Sequence, residues 1–243
     1  MPELRIPISP DNPGLFFACC GLFELAARQD SDSLAWFENG KVFTLQSEAV
    51  FPVQLGLLAG QSLEDKLYEA PLEELCLTAN GKPIVLNWWL NPAQSDKSAL
   101  KTWGGQQTPR RMLGELLAQV NAEISPPDYL EQTCYTSTRF GVDARTAWNT
   151  LDAGYSPNEI GQASVTYPWI ELLAAIGLQG FRPAVKRRRV IYSLWRSPLT
   201  ITPSRAIVAS PWSGIPSTAY ASEIADRGQG YKTLLIAKEF KNE

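Results

Sequence analysis

The chain has 243 residues, a formal net charge of −3, 44% hydrophobic residues and no histidine, which removes the commonest general acid–base, the usual transition-metal ligand and the imidazole of nucleophile triads. Its four cysteines (Cys19, Cys20, Cys76 and Cys134) show no C-x-x-C spacing, so neither a zinc site nor a disulfide framework is expected. No apolar run approaches the ~20 residues needed to span a bilayer, and the start at Met1-Pro-Glu-Leu-Arg5 lacks signal-peptide order; the expectation is a cytoplasmic protein.

Leu4–Ile8 alternates as a short first strand. Asn12 then offers an N-cap and Pro13 a first helical position, and Gly14–Arg28 is apolar nearly all round, the pattern of a helix buried on more than one side. Glu24 and Arg28 have the i,i+4 order of a surface ion pair. Gly21, about 1 kcal/mol poorer than alanine in mid-helix, predicts a close packing contact. Leu34–Phe37 and Val42–Leu45 form a hairpin about Asn39-Gly40, and Leu75–Thr78 with Ile84–Trp89 form a second about Asn80-Gly81. Ser62–Glu69 between them reads as a short helix.

Thr108 caps an amphipathic helix with Pro109 at its first position and Met112, Leu113, Leu116, Leu117 and Val120 on one face. Thr133–Ser137 reads as a strand. Tyr167-Pro168 opens another buried helix to about Leu178, closed by Gly177 and Gly180. Short strands are expected at Val190–Trp195, Ala206–Ala209 and Lys232–Ala237. The fold class is α+β, a single domain with an antiparallel sheet, two or three packed helices, and loop insertions around 91–107 and 139–162.

Charge is unevenly distributed. Between Gly161 and Ser222 lie seven basic residues (Arg182, Lys186, Arg187, Arg188, Arg189, Arg196 and Arg205) against one acid, Glu171. The Lys186-Arg-Arg-Arg189 run leads into a strand carrying Tyr192 and Trp195, a pairing of cations and aromatics suited to a polyanion with stackable bases. Guanidinium groups match phosphate bidentately. The alternative is a solvated loop before the strand. Arg110 and Arg111 fall in the first turn of a helix preceded by Gly104-Gly105, a second candidate anion site, unless they point to water or pair with Glu115. Arg139, Arg145 and Trp148 form a third group, with Trp148 available for stacking. Asp143 and Asp152 are read as local turn caps in preference to metal-binding carboxylates of a nuclease.

The blocks Asn12-Pro-Gly-Leu-Phe-Phe-Ala-Cys-Cys-Gly-Leu-Phe-Glu-Leu-Ala26, Ala35-Trp-Phe-Glu38, Arg139-Phe-Gly-Val-Asp143, Trp148-Asn-Thr-Leu-Asp-Ala-Gly-Tyr-Ser156 and Tyr167-Pro-Trp-Ile-Glu-Leu-Leu-Ala-Ala-Ile-Gly-Leu178 resemble a small CRISPR-associated protein family of subtype I-G (formerly I-U) systems. The opening is also similar to that of the large subunit of such systems, and the choice between the two stays open. The resemblance implies a component of an RNA-guided interference complex related to the RAMP superfamily, with a ferredoxin-like (RRM-like) core. It implies guide RNA or target DNA and sister subunits as partners, and carries over no catalytic residue and no cofactor.

The resulting expectation is a non-catalytic, nucleic-acid-contacting subunit. Lys186, Arg187, Arg188, Arg189, Arg196 and Arg182 would meet phosphates, helped by Arg110, Arg111, Arg139 and Arg145, while Trp195, Trp148 and Tyr192 are stacking candidates. The alternatives are an assembly subunit whose basic strip meets an acidic protein, and a metal-independent ribonuclease using lysine or tyrosine.

Overall fold

The computed structural model describes residues 1–57, 75–86, 88, 100–104, 107–147, 164–210, 214–228 and 230–240. The expected helix at Ser62–Glu69 and the stacking candidate Trp148 lie outside the described residues. Strand β1 (Glu3–Pro7) leads into helix α1 (Pro13–Ala27), followed by β2 (Leu34–Glu38) and β3 (Val42–Gln46). β3 pairs antiparallel with both strands, giving the order β1-β3-β2. Asn39 and Gly40 take positive φ (50° and 68°) at the expected turn. β4 (Leu55–Leu57), β5 (Cys76–Ala79) and β6 (Lys82–Val85) form a second small sheet, with Asn80-Gly81 as the two-residue turn between β5 and β6.

Helix α2 (Pro109–Leu117) is followed by β7 (Cys134–Thr136) paired with β8 (Ser164–Thr166), then by α3 (Pro168–Gly180). α1 and α3 are the central layer, both buried along nearly their whole length. Their axes approach closely because glycines face each other. A Cβ on Gly21 would sit 2.0 Å from Leu173 O, and one on Gly177 would sit 2.3 Å from Phe17 O. Gly177 therefore does not end α3, as its composition led us to expect; it lies inside a helix that runs to Gly180.

After α3 come β9 (Ala184–Lys186), β10 (Arg189–Trp195), α4 (Ile201–Ala209), β11 (Ser217–Gly228), β12 (Tyr231–Leu234) and β13 (Lys238–Glu239). They form a sheet of order β12-β11-β10-β9, with β13 on β11. The α+β class stands, with the antiparallel pairing divided among several small sheets. The β1-β3-β2 order with α1 in the first connection matches the first half of a ferredoxin-like core. The second half departs from it: among the described residues, the strands after α3 pair with one another and none joins β1.

Two readings of the C-terminal third are corrected. Ala206–Ala209 belongs to α4, where Ser204, Ile207 and Val208 are buried at i, i+3 and i+4 spacing; helical periodicity prevails over the β-branched composition. β11 carries no strand signal in the sequence, because its run of alanine, serine and charged residues lacks β-branched enrichment. Among the described residues, no helix is long and apolar enough to cross a membrane.

Candidate nucleic-acid interface

β9 and β10 form a hairpin in which Lys186 pairs with Arg189, leaving Arg187 and Arg188 as a two-residue turn. Both have positive φ, 48° and 65°. A two-residue hairpin turn of this hand matches strand twist, and asparagine-glycine is its usual occupant. Another two-residue turn, Asn80-Gly81, follows that rule with φ of 49° and 75°. For a residue bearing a Cβ the left-handed region costs roughly 1–2 kcal/mol. This turn thus holds two arginines where a cheaper dipeptide exists, and all four side chains from Lys186 to Arg189 are exposed.

Antiparallel pairing brings carboxylates across to these cations. β11 lies in register with β10, setting Glu223 opposite Arg189, with a 3.5 Å contact between Arg189 Nη2 and Glu223 Oε1. Arg188 donates to Ile224 O at 2.8 and 3.2 Å and to Asp226 Oδ2 at 2.8 Å. These acids lie just beyond the basic segment of the sequence, so charge separated along the chain is partly neutralised in space. Such exposed pairs are worth about 0–1 kcal/mol and leave the cations able to exchange partners. Among the described residues Lys186 and Arg187 have no ion-pair partner.

The other basic residues expected to meet phosphates lie apart from this cluster. Arg196 follows the far end of β10, roughly 20 Å along the strand from the turn, and donates to Thr218 Oγ1 at 2.6 Å. Arg182 precedes β9, donates to Gln179 O at 3.0 Å and lies 5.4 Å from the Trp88 ring centroid. At the start of α2, Arg111 pairs with Glu115 at 2.8 Å, and Arg110 turns inward and is buried. The candidate anion site at that helix start is therefore corrected: Arg110 belongs to the interior, and Arg111 makes the Glu115 pair that was its alternative.

The stacking candidates on β10 are also corrected. Tyr192 and Trp195 are fully buried. Tyr192 donates to Pro10 O at 2.8 Å and stacks on Phe16 with centroids 4.6 Å apart. Trp195 donates to Ala35 O at 2.6 Å and stacks on Phe181 at 5.8 Å. β10 is an inner strand covered by α1, so its aromatic side chains belong to the core, while Arg189 at its start and Arg196 just past its end are exposed.

Arg139 and Arg145 belong to an internal polar hub. Asn12, the cap of α1, accepts from Gly14 N at 2.9 Å and Ala144 N at 3.1 Å, and donates to Asp143 Oδ1 at 2.7 Å. Glu171, in the first turn of α3, accepts from Gly141 N at 3.0 Å and Asp143 N at 3.4 Å. Asp143 accepts from Arg145 N and pairs with the Arg145 guanidinium at 3.0 Å. Arg145 also donates to Leu130 O at 3.1 Å and lies 3.4 Å from the Tyr167 ring centroid. Arg139 is 2% exposed, so the third candidate group is corrected: Arg139 and Arg145 form a structural tie between two helices and a loop. Asp143 is the turn cap expected, while Asp152 lies outside the described residues.

Burial, and secondarily the Asp143 carboxylate, push Glu171 up to about 7, against the pull of Arg139. Burial pulls Arg139 and Arg227 below the usual arginine range, Arg227 further because Arg139 is beside it. Among the described residues no group of three or more histidine, cysteine, aspartate or glutamate side chains is placed to hold a metal.

One ion pair differs from expectation. Glu24 does not pair with Arg28; it is buried and takes Arg205 of α4 at 2.6 and 2.9 Å. Missing α4 in the sequence hid that partner, and with it the fact that Arg28 is left exposed. No family model, curated protein or solved structure matches the chain.

Proposed function

We propose that this chain is a non-catalytic subunit of a CRISPR RNA-guided interference complex, in which the Lys186–Arg189 hairpin tip meets the phosphates of guide RNA or target DNA while other surfaces meet sister subunits. The observation that carries the reading is the Arg187-Arg188 turn, with both φ angles positive where asparagine-glycine fits at lower cost. Strain of that kind persists where a side chain is wanted at that spot, and two guanidiniums at an exposed apex suit a phosphate ladder. Binding then comes from the tip by counterion release.

The test is titration of the full chain with labelled single-stranded RNA and DNA across a salt series. Replacing Lys186, Arg187 and Arg189 with alanine flattens the dependence of log K on log salt by about two units if each meets one phosphate of a single strand. An unchanged slope contradicts the reading. Asp226 and Glu223 beside the tip favour a second reading, an acidic protein partner that displaces them. Retention of sister subunits after nuclease treatment, with no nucleic acid retained, selects that one.

A further inference from the structure

Two cavities lie side by side where the C-terminal end of α1 faces β6, sharing Arg28 and Ile84 in their walls. The larger, about 330 Å³, is also lined by Glu24, Ile176, Gly180 and Arg205. The smaller, about 210 Å³, is closed by Leu25, Ala79, Asn80 and Lys82. Their chemistry differs. The larger is polar and cationic, with its carboxylate already held by Arg205 at 2.6 Å. The smaller has aliphatic walls from Leu25, Ala79 and Ile84, with the Gln29 and Asn80 amides and the Arg28 and Lys82 cations around them.

The cations here are not accounted for by internal partners. Arg28 and Lys82 are exposed, and among the described residues neither side chain has an ion pair or hydrogen bond. Arg28 at the end of α1 complements the helix dipole, which explains its place on α1. That effect does not explain Lys82, which comes from a different element across the gap. The room between them is also built: a Cβ on Gly180 would lie 2.1 Å from Glu24 Oε1 and 2.5 Å from Arg205 Nε, so glycine there is what lets the Glu24–Arg205 pair line the larger cavity.

We propose that the two cavities form one nucleotide site, with the base in the aliphatic chamber against Leu25 and Ile84. The phosphate lies in the larger chamber against Arg28, beside the closed Glu24–Arg205 pair, and Lys82 stands at the rim of the aliphatic chamber. Guanidinium groups take phosphate oxygens bidentately, and the separation of an apolar chamber from a cationic one by a single shared arginine fits a ligand that is itself half ring and half anion. The inference rests on the nucleic-acid reading above and names where one nucleotide of a bound strand is held, on a surface separate from the hairpin tip.

The experiment titrates adenosine 5′-monophosphate, and in parallel inorganic phosphate, into the full chain carrying labelled methyl groups. The expected result is shifts at the Leu25, Ile84 and Ile176 methyls with the nucleotide, larger than with phosphate, and affinity weakened about tenfold or more in the Arg28→Ala/Lys82→Ala double variant. Arg187→Asn with Arg188→Gly leaves these shifts in place while weakening strand binding. Three results overturn the site: no shift at those methyls, equal shifts with phosphate alone, or shifts that survive the double variant. Loss of the nucleotide shifts with tip-dependent strand binding intact sinks this site alone. Strand binding that ignores the tip variant sinks the earlier reading.

Discussion

The arginines of the hairpin tip and those of the Asn12–Asp143–Glu171 hub have the same chemistry and opposite roles. At the tip, Arg187 and Arg188 are exposed and held in a costly backbone conformation; among the described residues Arg187 has no ion-pair partner, and Arg188 faces one surface carboxylate, Asp226, that binds it weakly. In the hub, Arg139 is buried and Arg145 is half-buried, its guanidinium shared among a carboxylate, a carbonyl and an aromatic ring. An arginine with several internal acceptors adds to the fold and offers little to a ligand. One at an apex does the reverse. The difference lies in what surrounds the guanidinium, which charge density along a sequence does not report.

The largest effect that tests this contrast is expected at Glu171. Glu171→Ala removes the acceptor of two loop amides and the charge facing Arg139, and should lower stability by about 3–5 kcal/mol in urea denaturation, as for other buried ionic partners. Arg187→Ala should stay within about 0.5 kcal/mol. Comparable losses for the two would erase the distinction.

The pH dependence comes next. Glu171 has a folded-state pKa of about 7, above the 4.5 of the free group, so between these values the folded state binds more protons than the unfolded one. Stability should therefore fall as pH rises from 4.5 through 7, by on the order of 3 kcal/mol from this group, and level off above. The Glu171→Gln variant should lose most of that slope; an unaltered profile would mean another group governs it.

Exchanging the turn for Arg187→Asn with Arg188→Gly should raise stability by about 1–2 kcal/mol, because the new pair adopts positive φ at lower cost. A loss on this exchange would show that the arginines hold the hairpin together. The smallest effect belongs to Asp226→Asn, which should change stability by less than about 1 kcal/mol, since it touches an exposed ion pair.

Much of the fold was legible because local rules and tertiary packing agree in the first half. Asn12 and Pro13 start α1 where expected, Gly21 marks a close approach, and both asparagine-glycine turns close hairpins. The later half was harder. α4 is built from Ile201, Thr202, Ile207 and Val208, residues that favour strands, and it is helical because one face packs inward. The Lys186–Arg189 run was visible as charge, but its turn geometry was not, since arginine is a poor signal for positive φ. Tyr192 and Trp195 showed the limit of reading aromatics beside cations: on an inner strand their side chains belong to the core. Arg28 was assigned to Glu24 because the competing partner, Arg205, is 181 residues away and reaches it only through α4.

The most direct test of the account sets two variants side by side in the same salt series with single-stranded RNA: the turn exchange Arg187→Asn/Arg188→Gly, and Arg111→Ala/Arg196→Ala, which removes the same number of cations elsewhere. The account predicts that the first flattens the slope of log K against log salt by about 1.4 units while the second leaves it near that of the parent chain. Equal flattening by both, or by neither, would contradict the claim that the hairpin tip is where the polyanion is held.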